Sequence, residues 1–118
     1  MLVESCQLED YDSIAREIFH TLNRIGYSIM PMSRCPFDAV TTDHDVMLFT
    51  GIDQKRPGLE RRARAIANLS GILEKHPVIF VDKLGARVNL EGTPLIGSEE
   101  LKEVRDKKKI VELIEERY

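Results

Sequence analysis

The sequence contains few of the residues and segments that mark specialised protein classes. Two cysteines in 118 residues are too few for a disulfide scaffold, and they lack the spacing of a metal site. No apolar run approaches the roughly 18 residues that span a bilayer. The N-terminus lacks the basic and apolar regions of a signal peptide. We therefore expect a cytoplasmic protein with free thiols and no membrane contact.

Motifs for the common catalytic chemistries are also missing. The chain has no glycine-rich phosphate loop and no Gly-x-Ser-x-Gly elbow, and its three histidines share no motif. These absences argue against nucleotide hydrolysis and serine-hydrolase chemistry. They also give no indication of a cofactor or of a small-molecule substrate.

What the chain does have is the composition of an ordinary globular domain, with 42% hydrophobic and 31% charged residues. Its net charge of −3 gives no bulk attraction to nucleic acid, but the charges are unevenly distributed. Residues 1–17 contain five acids and one arginine, whereas residues 54–64 contain five bases and one glutamate. A basic patch is therefore expected on an acidic protein.

Apolar spacing predicts the main helices. A first helix is expected from about Leu8 to Ile25, where Gly26 supplies a left-handed stop. A second begins at Pro57-Gly58 and ends near Lys75. Its expected core stripe consists of Leu59, Ala63, Ile66, Ser70 and Leu73.

Five apolar segments are expected to form strands, and they cover Tyr27–Met32, Phe37–Thr41, Val46–Ile52, Pro77–Val81 and Ala86–Leu90. Pro31 suits an edge strand or the end of a strand. The third strand is apolar on both faces, which indicates that both are covered, and the fourth reads as a central parallel strand. Gly92-Thr93-Pro94 is expected to be a turn that leads into Leu95-Ile96.

A helical tail is expected over residues 98–118, capped by Ser98 and ending at Arg117. Its segment from Lys107 to Ile114 carries a narrow apolar stripe, and we expect a small core to leave that stripe partly uncovered. A symmetric homodimer is the commonest way to bury such a surface.

The element order α-β-β-β-α-β, followed by a smaller β-α tail, predicts one α/β domain over residues 1–118, with a core at about 8–97. A meander followed by a crossover helix and another strand gives a mixed sheet with helices on both faces. The residues expected to be buried together are Ile18, Leu22, Leu48, Ile66, Leu73, Ile79 and Val81.

Four segments carry a resemblance to known proteins. They are Ile25-Gly26-Tyr27 at the end of the first helix, the strand Phe37–Val40, the strand Val46–Gly51 before a basic helix, and Gly92–Ile96. With this element order, the chain resembles the restriction-endonuclease-like core of the PD-(D/E)xK nuclease superfamily. More specifically, it looks like the N-terminal domain of the archaeal helix-turn-helix transcriptional regulators. The resemblance implies transcription regulation or DNA association. In that family a helix-turn-helix follows this domain, and none is expected in this chain.

The resemblance also implies where nuclease residues should stand. Such enzymes hold a divalent metal between an Asp of the second strand and an acid of the third, with a Lys two residues later. Asp38 matches the first acid, and Asp53-Gln54-Lys55 matches the second acid and the Lys literally. Glu17 stands where some of these nucleases keep an acid on the first helix.

The register of the hairpin argues against an intact site. If the chain turns between Asp43 and His44, Asp38 pairs with Phe49, and Gly51 lies beside them on the same face. Asp53 would then lie about 13 Å from Phe49 along the strand, too far to share an ion. We therefore expect no catalytic residues and no metal site, with Asp38, Glu17, Asp53 and Lys55 as remnant candidates. Asp38 is expected to bond a neighbouring backbone, and Glu17 to be solvated.

Basic residues around the start of the second helix are the candidate binding site, and they are Lys55, Arg56, Arg61, Arg62 and Arg64. Cations in the first turns oppose the helix dipole, so they add no local stability. Phosphate groups of nucleic acid or an acidic partner would explain them, as would a simple solvated face. No aromatic residues are interleaved with them, so base stacking is not expected.

Three functions follow from these observations. The leading hypothesis is a catalytically inert nuclease-fold domain in transcription regulation or DNA association, and therefore not an enzyme. The second is a scaffold or oligomerisation domain without nucleic-acid contact. The third is a divergent metal-dependent endonuclease. Pairing of the helix arginines with acids of the same chain or of a dimer mate would favour the second.

Overall fold

The architecture is seen in a computed structural model that describes residues 13–32, 37–43, 46–53 and 58–118. Within these ranges the chain forms four helices and six strands. The helices are α1 (Ser13–Ile25), α2 (Leu59–Leu73), α3 (Ser98–Glu103) and α4 (Lys107–Arg117). The strands are β1 (Ser28–Pro31), β2 (Ala39–Thr42), β3 (Met47–Ile52), β4 (His76–Val81), β5 (Asn89–Leu90) and β6 (Thr93–Gly97).

The six strands form one mixed sheet in the order β1-β2-β3-β4-β6-β5. The first three are an antiparallel meander, whereas β3, β4 and β6 are parallel and β5 is antiparallel to β6. Helix α2 provides the crossover from β3 to β4. The predicted mixed sheet, the edge position of β1 and the central parallel position of β4 are all confirmed.

Two apolar clusters cover the two faces of this sheet. One is built with residues of α1, α3 and α4, and the other with residues of α2. Strand β3 contributes to both, because Leu48 lies in the first cluster and Phe49 in the second. This confirms that helices cover both faces and explains why β3 has apolar residues on both faces.

Seven named residues were expected to be buried together. Six of them are buried but are divided between the two faces of the sheet, and the seventh is exposed. The sheet separates the buried Ile18, Leu22 and Leu48 from the buried Ile66, Ile79 and Val81. Leu73, which the sequence assigned to the core, is 48% exposed. It occupies the last position of α2, where the helix has run past the apolar cluster that its middle turns cover.

The segment after β4 differs most from its prediction. The expected fifth strand is only Asn89–Leu90, and Thr93-Pro94 belongs to strand β6 rather than to a turn. The chain reverses at Glu91 and Gly92, whose φ values are 50° and 91°. Pro94 is opposite Asn89 of β5 and precedes the pairing of β6 with β4, which starts at Leu95, so it lies near the beginning of the strand, where proline is tolerated.

Helix ends follow local chemistry, with one misplaced cap. Gly26 ends α1 at a φ of 127°, as predicted. The helical tail is two helices, because Asp106 begins α4 by accepting a 2.8 Å hydrogen bond from the Lys108 backbone N–H. Ser98 does not cap α3. Gly97 precedes that helix, and the Ser98 hydroxyl donates to the carbonyl oxygen of Asp82 at 2.9 Å.

Two further expectations concern the start of the first helix and contact with a membrane. The predicted start of the first helix at Leu8 lies outside the described residues. No helix within the described ranges is long and apolar enough to cross a membrane.

Candidate nucleic-acid interface

Asp38 lies just before β2 and is held by two donors. Its Oδ2 atom accepts a 2.7 Å hydrogen bond from the Ile52 backbone N–H and a 2.6 Å hydrogen bond from Arg62 Nη2. The side chains of Asp38 and Arg62 are 9% and 20% exposed. The expectation that Asp38 bonds a neighbouring backbone is confirmed. Its second donor is the guanidinium of Arg62, which the sequence placed in the candidate nucleic-acid-binding set.

The hairpin register is shifted by two residues from the predicted one. Val40 pairs with Phe49 and Ala39 with Thr50, so continuing the ladder places Asp38 opposite Gly51 rather than Phe49. The ladder closes where the Asp43 N–H donates to the Val46 carbonyl at 3.0 Å. A shift of two preserves the alternation of side chains, so Phe49 and Gly51 still share the face of Asp38.

Core packing fills the space around Gly51. A Cβ atom added to Gly51 would lie 3.0 Å from both Ile66 Cδ1 and Ile79 Cγ1. Next to it, the rings of Phe37 and Phe49 stack with centroids 4.6 Å apart. The position opposite Asp38 therefore has no room for an acidic or basic side chain unless the core moves.

Asp53 stands closer to this position than the sequence indicated. In the observed register it follows Gly51 by two residues, which is about 7 Å along a strand rather than about 13 Å. Its N–H donates to the Phe80 carbonyl at 2.9 Å, which extends the pairing of β3 with β4. The argument from register that Asp53 is too far from Asp38 to share a metal ion is therefore weaker than the sequence indicated. Lys55 lies outside the described residues.

Glu17 belongs to a different part of the molecule. It lies on α1, whose apolar residues pack on the opposite face of the sheet from Arg62 and α2. It is exposed, as predicted, and its Oε1 lies 2.6 Å from Lys102 Nζ. The structure therefore does not bring Glu17 together with Asp38. Among the described residues, no group of three or more His, Cys, Asp or Glu side chains is arranged to hold a metal ion.

The arginines of α2 have three different environments. Arg62 points to Asp38, whereas Arg64 Nη2 lies 3.1 Å from Glu91 Oε1 in an exposed ion pair. Arg61 is exposed and forms no ion pair within the described ranges. Lys55 and Arg56 lie outside those ranges.

Arg61 and Arg64 share one concave surface. They line an open pocket of 610 Å³ at the start of α2, together with Gly58, Leu59, Glu60 and Leu90. Gly58 precedes the helix with a φ of 88° and brings no side chain to cap the first turn. Among the described residues, Glu60 lines the same pocket, Arg62 pairs with Asp38 and Arg64 pairs with Glu91, so this surface carries less positive charge than five basic residues in the sequence indicate.

The sequence reading missed the Asp38–Arg62 pair, although one signal for it exists. Arg62 precedes the buried Ile66 by four residues, so both lie on the side of α2 that faces the sheet. A second pair, Arg117 with Glu100, had no sequence signal. Arg117 donates to both Glu100 oxygens, with Nη2 2.9 Å from Oε2, and fastens α4 to α3.

The stripe of α4 that motivated a homodimer is covered by the chain itself. Ile110, Leu113 and Ile114 are buried at 0%, 7% and 1% exposure in the cluster they share with α1. The expectation that a small core leaves them uncovered is wrong, because α4 packs on the sheet beside β6. Self-association therefore needs another surface.

Comparison with known proteins gives a consistent set of relatives. The chain is 34% identical over 103 residues to a protein of Thermococcus kodakarensis, and 33% identical over 108 residues to one of Pyrococcus furiosus. It is 32% identical over 114 residues to one of Thermococcus gammatolerans. All three are described as "putative HTH-type transcriptional regulatory protein".

These matches cover 86%, 89% and 96% of this chain but 32%, 34% and 36% of the respective relatives. No protein-family model matches the chain. The chain is thus similar over most of its length to archaeal proteins named as transcriptional regulators, and it spans about a third of the length of those it matches.

Proposed function

We propose that this chain is a catalytically inert domain of the restriction-endonuclease-like fold that acts in transcription regulation and associates with DNA. The names of its relatives support the regulatory role. Because the chain spans about a third of those relatives, the helix-turn-helix in their name need not lie in this third. A regulator of transcription in an archaeal cell works in the cytoplasm, as we expect for this chain.

The loss of catalysis rests on one observation, the Arg62 guanidinium 2.6 Å from Asp38 Oδ2. In a metal-dependent nuclease this carboxylate would hold the ion, and a hard cation wants several oxygen ligands. Here the Arg62 guanidinium, a cation of the chain itself, binds Asp38 where the metal ion would bind. Gly51, opposite Asp38, can supply neither a second carboxylate nor the ammonium that would orient water.

A cleavage assay tests this proposal. Supercoiled plasmid should stay intact with Mg²⁺ or Mn²⁺, and the variant Asp38→Asn should behave like the wild type. Metal-dependent nicking that Asp38→Asn abolishes would contradict the proposal. A melting curve of the variant separates lost chemistry from lost folding.

One observation favours the divergent nuclease as a second candidate, namely that Asp53 lies nearer to the position of Asp38 than the sequence indicated. If the site were rebuilt from Asp53-Gln54-Lys55, metal-dependent nicking would disappear in Asp53→Asn and in Lys55→Ala. Nicking that survives both variants would come from a contaminant. Absence of nicking in the wild type removes this candidate.

We place the DNA contact of α2 on its exposed arginines, Arg61 and Arg64, and on the preceding Lys55 and Arg56. Each cation that neutralises a phosphate releases a counterion, so log affinity falls linearly with log salt by about 0.9 per contact. A salt titration with duplex and single-stranded DNA should show this fall. The double change of Arg61 and Arg64 to alanine should flatten the slope on all sequences by about one, mostly through Arg61, because Glu91 already pairs with Arg64. Arg62 stays intact in this variant so that its pair with Asp38 is not lost.

The scaffold function has its own supporting observation, because Arg62 and Arg64 both pair with acids of the same chain. On this hypothesis the wild type would not bind DNA even at low salt. It would instead sediment as a homodimer at micromolar concentration. Salt-dependent DNA binding by a monomer would exclude the scaffold function.

A further inference from the structure

A second basic surface lies around the start of α4, a helix that packs on the opposite face of the sheet from α2. Arg105, Lys108 and Lys109 are exposed there and form no ion pair within the described ranges. Between them, the Lys107 ammonium lies 3.7 Å from Asp43 Oδ2. The first turn of α4 contains no acidic residue. These cations are therefore less neutralised than the arginines of α2.

The end of α1 extends this surface. The Tyr27 hydroxyl donates to the Lys107 carbonyl at 3.3 Å, and a Cβ atom on Gly26 would lie 3.3 Å from Lys107 Cδ. Arg24, in the last turn of α1, is exposed just before this contact. We call the set Arg24, Arg105, Lys108 and Lys109 the α1–α4 basic surface.

The fold itself does not account for the two lysines of this surface. Cations in the first turn of a helix face the positive end of its dipole, which is unfavourable. Asp106 caps this turn through the Lys108 backbone N–H, but neither lysine ammonium has a carboxylate partner within the described ranges. A bound polyanion would make the positive charges at this helix terminus favourable, because its negative charge attracts them. The two lysines act as point charges without the fixed bidentate geometry of arginine, so they suit phosphate groups rather than base edges.

The two basic surfaces cannot contact one straight duplex together. Helix α2 starts after the end of β3, whereas α4 starts beside Asp43, before β3 begins. The two helices also pack on opposite faces of the sheet. We infer that the α1–α4 basic surface is a second nucleic-acid contact of this domain, which binds the phosphate backbone without reading sequence. This inference rests on the proposed association with DNA.

The test compares three double variants with the wild type in salt titrations on one duplex. They are Lys108→Ala with Lys109→Ala, Arg61→Ala with Arg64→Ala, and, as a control of equal charge change, Lys83→Ala with Arg87→Ala. The lysine variant should flatten the slope by about two, and the control should not. Its melting temperature should not fall, because the two lysines oppose the dipole, so weaker binding cannot be ascribed to unfolding.

Three outcomes would overturn the inference. A slope for the lysine variant equal to that of the control would remove the surface while leaving DNA binding through α2 intact. No binding of the wild type at low salt would remove the proposed DNA association as well. Loss of polyglutamate binding in the lysine variant, with unchanged duplex binding, would assign the surface to an acidic protein.

Discussion

Replacing Arg62 by alanine is the change that tests the site most directly. The sequence groups Arg62 with the candidate nucleic-acid-binding arginines, whereas the structure pairs it with Asp38 at 2.6 Å. If Arg62 is a surface residue, its loss should affect DNA binding and leave stability unchanged. If it is the internal partner of Asp38, its loss should destabilise the fold.

The expected magnitude follows from the burial of the pair. Removing one partner of a buried ion pair costs about 3–5 kcal/mol, because the other charge is left in a poorly solvated position. Two features reduce that figure here. The Ile52 N–H still donates to Asp38 Oδ2, and the Arg62 side chain is 20% exposed. We therefore expect Arg62→Ala to cost about 2–3 kcal/mol.

Urea unfolding provides the assay, with Arg61→Ala as the matched control on the same helix. The Arg62→Ala midpoint should fall by about 1 M, since the slope for a protein of this size is about 1–3 kcal/mol per molar. Arg61→Ala should change stability by less than about 0.5 kcal/mol. In the Arg62→Ala background, Asp38→Asn should cost less than in the wild type. Equal, small losses for Arg61→Ala and Arg62→Ala would refute the buried pair and return Arg62 to the surface.

Three other predictions follow from buried or paired side chains. In urea unfolding, Leu48→Ala should cost about 2–5 kcal/mol and Leu73→Ala below about 0.5, so equal losses would contradict the assignment of Leu73 to the surface. Burial raises the pKa of Tyr27 from 10.0 to about 12, so the free energy of unfolding should fall as pH rises from 10 to about 12. Melting curves of Tyr27→Phe should not show this fall, and an equal fall in the wild type and the variant would contradict the prediction. The hydrogen bond from Arg117 lowers the pKa of Glu100 below its ordinary 4.5, so the pair stabilises the fold above pH 4.5 and this contribution is lost as pH falls through the lowered pKa. The difference in unfolding free energy between the wild type and Glu100→Gln should therefore become smaller in acid. A difference that does not change with pH would contradict this.

Local signals in the sequence were sufficient for most elements. Gly26 ended α1, Pro31 marked β1 as an edge strand, and the apolar run of β4 indicated its central position. Strand β6 was missed because Gly92-Thr93-Pro94 has the composition of a turn. Its strand character comes from pairing with β4 through Leu95, a tertiary contact that composition does not record.

The register of the hairpin shows how a local error can leave a conclusion partly intact. Placing the turn by composition put its centre between Asp43 and His44, whereas the observed pairs, such as Thr42 with Met47, belong to a ladder displaced by two residues. Every predicted pair therefore shifted by two residues. Faces alternate with a period of two, so the face of Gly51 was predicted correctly while its partner was not. The predicted distance along the strand from Asp53 to the position opposite Asp38 was wrong for the same reason. It is about 7 Å rather than about 13 Å.

Charge is the property that the sequence predicted least well, because it must be counted after pairing. Asp38 and Arg62 are 24 residues apart, and although the helical spacing puts Arg62 on the side of α2 that faces the sheet, it does not identify Asp38 as the partner. The five cations near α2 looked like one patch, yet Asp38 neutralises Arg62 and Glu91 pairs with Arg64. The cations of α4 looked incidental to an apolar stripe, yet Lys108 and Lys109 carry no carboxylate partner within the described ranges. A salt slope counts the counterions that a bound phosphate displaces, so a cation already held by a carboxylate contributes little to it. The slope therefore distinguishes the two surfaces on physical grounds, which the number of basic residues in each segment cannot do.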